Sequence, residues 1–222
     1  GLTLHVLSHR LASRGARPDV RERVRHLLDR VAYLTALGQN ADACLERRPV
    51  DEYDMGAYSR MAKLKTAYYS FYEPVAVGIL LARHPNEASL LRGARDVAMR
   101  MGEYYQRKDD FKDCFDERGK KGMDISDGKC TWLIVEAMRL GDEGQRETLR
   151  SNYGRGGNEE GGAEEGSGEA EEEVKRVYRD LELDVRFREW EAGAVAELRA
   201  CISAQPVEMH AVWHDVLAVA LA

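Results

Sequence analysis

Three aspartates close together in the chain are the strongest candidates for chemistry. Asp109, Asp110 and Asp113 lie in the stretch Gln-Arg-Lys-Asp-Asp-Phe-Lys-Asp. Residues four apart on a helix share a face, so Asp109 and Asp113 would project together with Asp110 beside them. This pattern suits Mg²⁺, which binds through a few carboxylates and completes its shell with phosphate oxygens and water. The alternative is a charged helix face that only contacts solvent.

Lysines near these aspartates indicate what the metal would hold. Lys120 and Lys129 bracket a glycine-containing loop that follows the aspartates. A compact ammonium group is a common phosphate contact, so both could reach diphosphate oxygens beside a metal. Lys65 and Thr66 interrupt an otherwise aromatic stretch upstream. A lysine in such an apolar setting needs an anionic partner or a route to solvent. The pattern therefore predicts a magnesium–diphosphate site.

The spacing of apolar residues predicts the helices that position these groups. Helices are expected over residues 2–14, 19–45, 52–83, 87–115, 127–140, 143–152, 171–203 and 206–221. No segment sustains the alternation typical of a strand, so the fold class is all-α. We interpret residues 1–222 as one helical domain.

Residues 154–173 differ in composition from the rest of the domain. They contain eight glutamates and no large apolar residue. A segment of this composition cannot bury enough apolar surface to order itself, which predicts a flexible acidic insertion. A binding role for this segment is the alternative to a solvated loop.

Charge, hydropathy and cysteine usage exclude several classes of protein. The net charge of -6 argues against nucleic acid as a partner. No run of 18 apolar residues is present, so we expect no transmembrane segment. None of the four cysteines forms a CxxC pair, which fits reduced thiols in an intracellular protein. The compartment would be the cytoplasm, or the mitochondrion if an arginine-rich transit peptide has been removed.

Four sequence blocks, in this order, resemble the farnesyl diphosphate synthase family of head-to-tail isoprenyl diphosphate synthases. Residues 38–42 are similar to its GQxxD block and residues 65–74 to its KTAxYSFYxP block. Residues 106–113 are similar to its second aspartate-rich motif, and residues 119–132 to its GKxGxDIxDxKCxW block. The resemblance implies an isoprenoid-synthase-type bundle of long helices around a deep cavity.

The resemblance also implies roles for individual residues. Asp109, Asp110 and Asp113 would hold Mg²⁺ on an allylic diphosphate, which isopentenyl diphosphate then attacks. The metal would stabilise the departing diphosphate. Five polar residues would contact or position that diphosphate, namely Lys65, Thr66, Gln106, Lys120 and Lys129.

The sequence departs from the family pattern in ways that bear on function. The family's first aspartate-rich motif does not occur in these 222 residues, so the chain is similar to a family member without its N-terminal part. Arg107, Lys108 and Lys112 flank the aspartates where the family has apolar or neutral residues, and they could pair with those aspartates. Glu73 replaces an apolar residue.

These departures leave two functions open. We favour a degenerate, non-catalytic homologue that serves as a structural subunit of a larger assembly. The alternative is the C-terminal part of an active Mg²⁺-dependent prenyl diphosphate synthase. Without the family's N-terminal helices, we expect the aromatic helix around Tyr68 and Tyr69 to expose apolar surface that something must cover. The candidates are the N-terminal segment, a second copy of the chain and other protein subunits, and we favour the last two together.

Overall fold

The computed structural model describes residues 17–115, 122–155 and 164–221. Every regular element in these ranges is helical, which confirms the all-α prediction. The α-helices are α1 (Pro18–Leu45), α2 (Met55–Ala62), α3 (Glu73–Ala82), α4 (Glu87–Phe115), α5 (Trp132–Leu140), α6 (Glu143–Asn152), α7 (Glu164–Asp180), α8 (Leu183–Ser203) and α9 (His210–Leu221). A π-helix (Lys63–Tyr72) joins α2 to α3, and short 3-10 helices occupy Val50–Glu52 and Val207–Met209. None of the described helices is long and apolar enough to cross a membrane.

The observed helix bounds agree with the sequence in most places. Helices α1, α4 and α6 begin and end close to the predicted residues. The prediction of one helix over residues 171–203 is wrong, because α7 and α8 are separated at Leu181 and Glu182. Glu182 adopts a left-handed conformation with φ 53°, which ends α7. The helix expected over residues 2–14 lies outside the described residues.

The acidic segment is helical over much of its predicted flexible length. Helix α7 begins at Glu164, so residues 164–173 are helical, while residues 156–163 lie outside the described part of the chain. Glutamate and alanine are good helix formers, so this composition can extend a helix that tertiary packing anchors. Ala170, Glu171 and Val174 are buried and provide that anchor.

The chain divides into two compact units. The first comprises residues 1–39, 62–103 and 195–222, and the second comprises residues 40–61 and 104–194. A cluster of Val20, Val24, Leu28 and Leu80 belongs to the core of the first unit and packs α1 against α3. The second unit has a larger core that α5, α6 and α7 share, with Trp132, Leu149 and Tyr178 buried in it.

Two glycines allow helices to approach the π-helix closely within the first unit. A Cβ atom added to Gly38 of α1 would lie 2.6 Å from the carbonyl carbon of Leu64. A Cβ atom added to Gly102 of α4 would lie 2.7 Å from the backbone nitrogen of Ala67. The segment that carries Lys65 and Thr66 is therefore positioned by backbone contacts that only glycine permits.

We expect Gly38→Ala to destabilise the protein by roughly 1–3 kcal/mol, since overpacking against backbone outweighs the gain in helix propensity. Urea unfolding followed by circular dichroism would measure the free energy of unfolding. Gly78→Ala is the matched control, because nothing lies within 4 Å of the added Cβ. That variant should gain up to about 1 kcal/mol. Equal effects of the two substitutions would contradict the close approach at Gly38.

Candidate functional site

Asp110 is the centre of a buried polar network in the second unit. Its side chain is only 4% exposed. One carboxylate oxygen, Oδ2, accepts hydrogen bonds from the Tyr58 hydroxyl at 2.6 Å and from the Trp132 backbone N–H at 2.8 Å. The other, Oδ1, accepts a bond from the Gln106 side-chain amide at 3.1 Å. These hydrogen bonds therefore connect α4 to α2 and to the first residue of α5.

These contacts give Asp110 a structural role in the second unit, and its predicted metal-binding role stays a prediction. Burial raises the pKa of Asp110 to about 6, although the hydrogen bonds from Tyr58, Trp132 and Gln106 act to lower it. Both carboxylate oxygens already accept hydrogen bonds from the protein. Gln106 likewise donates to Asp110, so its predicted contact with a diphosphate would compete with this bond.

Asp109 and Asp113 lie one turn apart on α4 and are more accessible. Asp109 is exposed and Asp113 is half-buried. The Oδ2 atom of Asp113 accepts a hydrogen bond from the Asp124 backbone N–H at 3.0 Å. Among the residues that the structure describes, no group of three His, Cys, Asp or Glu side chains is arranged to hold a metal ion. Asp109 and Asp113 are thus the more accessible two of the three predicted aspartates, and their binding of Mg²⁺ stays a prediction.

The three cations that flank the aspartates have different environments. The Arg107 guanidinium lies over the Trp190 ring, 4.6 Å from its centroid. Lys108 is buried, and this burial together with the nearby charge of Lys112 lowers its pKa. Lys112 is exposed on the same helix as the two accessible aspartates. Of the three, Lys112 is thus the cation best placed to oppose metal binding.

Lys129 is held at a fixed place by groups that are distant in the sequence. Its ammonium group pairs with Glu46, and its Nζ lies 3.9 Å from Oδ2 of Asp42. Its backbone carbonyl accepts a hydrogen bond from the Tyr153 hydroxyl at 2.7 Å. The neighbouring Gly128 carbonyl accepts a bond from the Tyr53 hydroxyl at 2.9 Å. The other predicted loop lysine, Lys120, lies outside the described residues.

Lys65 and Thr66 belong to the first unit, whereas the other described candidates belong to the second. Thr66 is buried and Lys65 is half-buried within the π-helix. π-helices are rare, and those that do occur are frequently found at functional sites, which favours a role for this segment. Glu73, at the start of α3, is half-buried, and burial raises its pKa. Its carboxyl therefore occupies surroundings that would suit the apolar residue of the family pattern.

No pattern in the sequence indicated that Tyr58 belongs to the site. It is separated from Asp110 by 52 residues and lies in an ordinary amphipathic pattern. It is fully buried, and its pKa is raised well above the usual range by burial and by the charge of Asp110. A buried carboxylate needs donors, so a search for nearby hydroxyl groups would have required the tertiary structure.

Tyr58→Phe should lower the free energy of unfolding by roughly 1–3 kcal/mol, because it removes a donor from a buried carboxylate. Chemical denaturation near neutral pH would measure this. Tyr33→Phe provides the control, since the Tyr33 side chain is 64% exposed and should tolerate the change. A Tyr58→Phe protein as stable as the control would show that the Tyr58–Asp110 bond adds nothing to stability.

Most of the chain matches the sequence profile of a single protein family. Residues 1–167 match the sequence profile of the polyprenyl synthetase family. The farnesyl pyrophosphate synthase of Saccharomyces cerevisiae is 37% identical over 188 residues, which cover 81% of this chain and 50% of the yeast protein. The enzyme of Zea mays is 34% identical over 186 residues, with the same coverage. The chain thus spans about half the length of the curated relatives it matches.

Solved structures show the same likeness. The farnesyl diphosphate synthase of T. brucei complexed with the bisphosphonate BPH-1326 has a TM-score of 0.84 and 27% identity, covering 98% of this chain and 77% of that one. A second T. brucei structure, complexed with risedronate, has a TM-score of 0.75 and 28% identity over 88% of this chain and 57% of that one. The all-α isoprenoid synthase fold expected from the sequence is confirmed.

Proposed function

Since the chain belongs to the polyprenyl synthetase family, we propose that it contributes one side of a prenyl diphosphate synthase site, where Asp109 and Asp113 bind a magnesium–diphosphate group. The observation that carries this proposal is the different burial of the three aspartates on α4. Asp110 accepts hydrogen bonds within the buried network, while Asp109 is exposed one turn from half-buried Asp113. Two accessible carboxylates on one face suit a metal that takes its remaining ligands from phosphate and water.

The residues of the chain would hold the diphosphate in complementary ways. Bound Mg²⁺ would neutralise charge on the diphosphate as it departs from an allylic carbon. Lys129 would supply an ammonium group, at the cost of weakening its pairing with Glu46. For Lys65 and Thr66 of the first unit, and for Lys120, the diphosphate-contacting role is the one that the family resemblance implies. The substrates we propose are an allylic diphosphate and isopentenyl diphosphate.

A complete site of this kind needs a second group of carboxylates. These 222 residues contain one aspartate-rich motif. The relatives named above are about twice as long as the segment that matches, so the second motif would come from sequence outside this chain. We therefore propose that the 222-residue chain binds diphosphate with Mg²⁺ but does not complete the reaction alone.

A non-catalytic subunit of a larger assembly is the second candidate. It is favoured by Lys112, an exposed cation between the two accessible aspartates. Several large apolar side chains in the first unit are also exposed, among them Tyr33, Leu37 and Tyr69. In this proposal, a second copy of the chain or other protein subunits would cover them, and the metal site would have lost its function.

Inorganic diphosphate should bind the chain in the presence of Mg²⁺ and not after chelation with EDTA. We expect Asp109→Ala to weaken that binding roughly tenfold or more, because it removes one of two metal-facing carboxylates. Isothermal titration calorimetry would measure the dissociation constant. Asp180→Ala is the matched control, since Asp180 is likewise exposed and lies on α7 away from the motif.

Binding that Asp109→Ala and Asp180→Ala reduce equally would reflect the overall charge of the protein rather than a site. No Mg²⁺-dependent binding in the wild-type chain would favour the non-catalytic subunit. Lys112→Ala separates the two candidates further. It should strengthen diphosphate binding if Lys112 competes with the metal, and it should change nothing if the site is lost.

Turnover provides the complementary measurement. The isolated chain, given Mg²⁺, isopentenyl diphosphate and dimethylallyl diphosphate, should form no product detectable by radiolabel extraction. Each 1.36 kcal/mol of lost transition-state stabilisation costs about tenfold in rate, and half a metal site leaves much of the diphosphate charge unneutralised. Robust product formation that disappears in Asp109→Ala would instead show that the chain is a complete enzyme.

A further inference from the structure

The first unit contains a cavity that the proposed diphosphate site does not use. Its volume is about 120 Å³. One wall consists of the apolar side chains of Leu27, Val31 and Leu34 on α1. Tyr68 and Tyr72 of the π-helix also line the cavity, and their rings meet edge to face at 6.0 Å. The body of the cavity is therefore suited to a compact apolar or aromatic group.

Two guanidinium groups, from Arg30 and Arg95, also line this cavity. Arg95 donates a hydrogen bond to the Tyr68 hydroxyl at 3.0 Å, and its guanidinium carbon lies 5.8 Å from the centroid of the same ring. Neither arginine pairs with a carboxylate in the part of the chain that the structure describes. Both arginines are exposed, and they place two positive charges beside the cavity in a chain whose net charge is -6.

The hydroxyl of Tyr72 lies within the field of both arginines. Burial raises the pKa of Tyr72, while the positive charges of Arg95 and Arg30 oppose that shift. The neutral phenol of Tyr72 can donate a hydrogen bond to an anion. Two guanidinium groups and a hydroxyl that line the same cavity as an apolar wall form a site with polar and apolar parts.

From this arrangement we propose that the cavity binds a small organic anion, a carboxylate or phosphate monoester attached to one compact apolar group. The oxyanion would accept hydrogen bonds from Arg30 and Arg95, whose planar guanidinium groups match carboxylate and phosphate geometry. The apolar group would lie between Val31 and the tyrosine rings. This site lies entirely in the first unit and does not depend on the magnesium–diphosphate proposal.

Benzoate and phenyl phosphate are suitable probes of the two head groups, with neutral benzamide and inorganic phosphate as comparisons. Titration of the 222-residue chain by calorimetry, without Mg²⁺, should detect benzoate, phenyl phosphate or both. Benzamide and inorganic phosphate should bind at least tenfold more weakly, because each lacks either the charge or the apolar group. Preference for benzoate would identify a carboxylate ligand, and preference for phenyl phosphate a phosphate ester.

Variants of the arginines test the assignment. Arg95→Gln should weaken binding of the preferred probe roughly tenfold or more, and the double variant with Arg30→Gln should abolish it. Arg199→Gln is the control, because Arg199 is an exposed arginine of the same unit that does not line the cavity. Thermal unfolding would verify that each variant is folded.

Three outcomes would overturn the proposal. In the first, neither aromatic anion binds at concentrations up to its solubility. In the second, benzamide binds as tightly as benzoate, which would make the cavity merely apolar. In the third, Arg95→Gln and Arg199→Gln weaken binding equally, which would reduce the effect to net charge.

Discussion

The buried carboxylate of Asp110 imposes a constraint on which the candidate site depends. An ionised carboxyl that is removed from water is costly unless several donors compensate for the lost hydration. Tyr58, Gln106 and the Trp132 backbone N–H supply these donors from α2, from α4 itself and from the start of α5. The rotation of α4 about its axis is thereby fixed. Because Asp109 and Asp113 lie on the same helix, the hydrogen bonds of Asp110 also determine which way these two more accessible aspartates face.

A similar principle governs the segment that carries Lys65 and Thr66. Here the constraint is steric, since Gly38 and Gly102 bring two helix backbones against the π-helix. A π-helix has weaker packing along its axis than an α-helix and persists where neighbouring structure enforces it. The close contacts therefore account both for the glycine in the GQxxD-like block and for the position of the aromatic stretch in the first unit.

The environment of the cations bears on the metal-binding face that we propose for α4. Arg107 is half-buried with its guanidinium over the Trp190 ring, and Lys108 is buried, so both are less exposed than Lys112. The basic residues that depart from the family pattern thus contribute to packing more than the sequence implied. Lys112 and Glu73 are the departures that bear most directly on function. Membership of the polyprenyl synthetase family is compatible with either candidate function, because fold and chemistry are separable properties.

The sequence by itself determined the all-α class, most helix bounds, the family resemblance and the placement of Asp109 and Asp113 one turn apart on one helix. These depend on local periodicity and on spacing along one helix, both of which are readable in a single chain. It did not separate Asp110 from its neighbours, since burial depends on which helices pack against that face. Nor did it reveal the Tyr58–Asp110 bond, the Glu46–Lys129 pair or the cavity between Arg30 and Arg95. Those features join residues that are far apart in the chain, and only tertiary packing brings their side chains together.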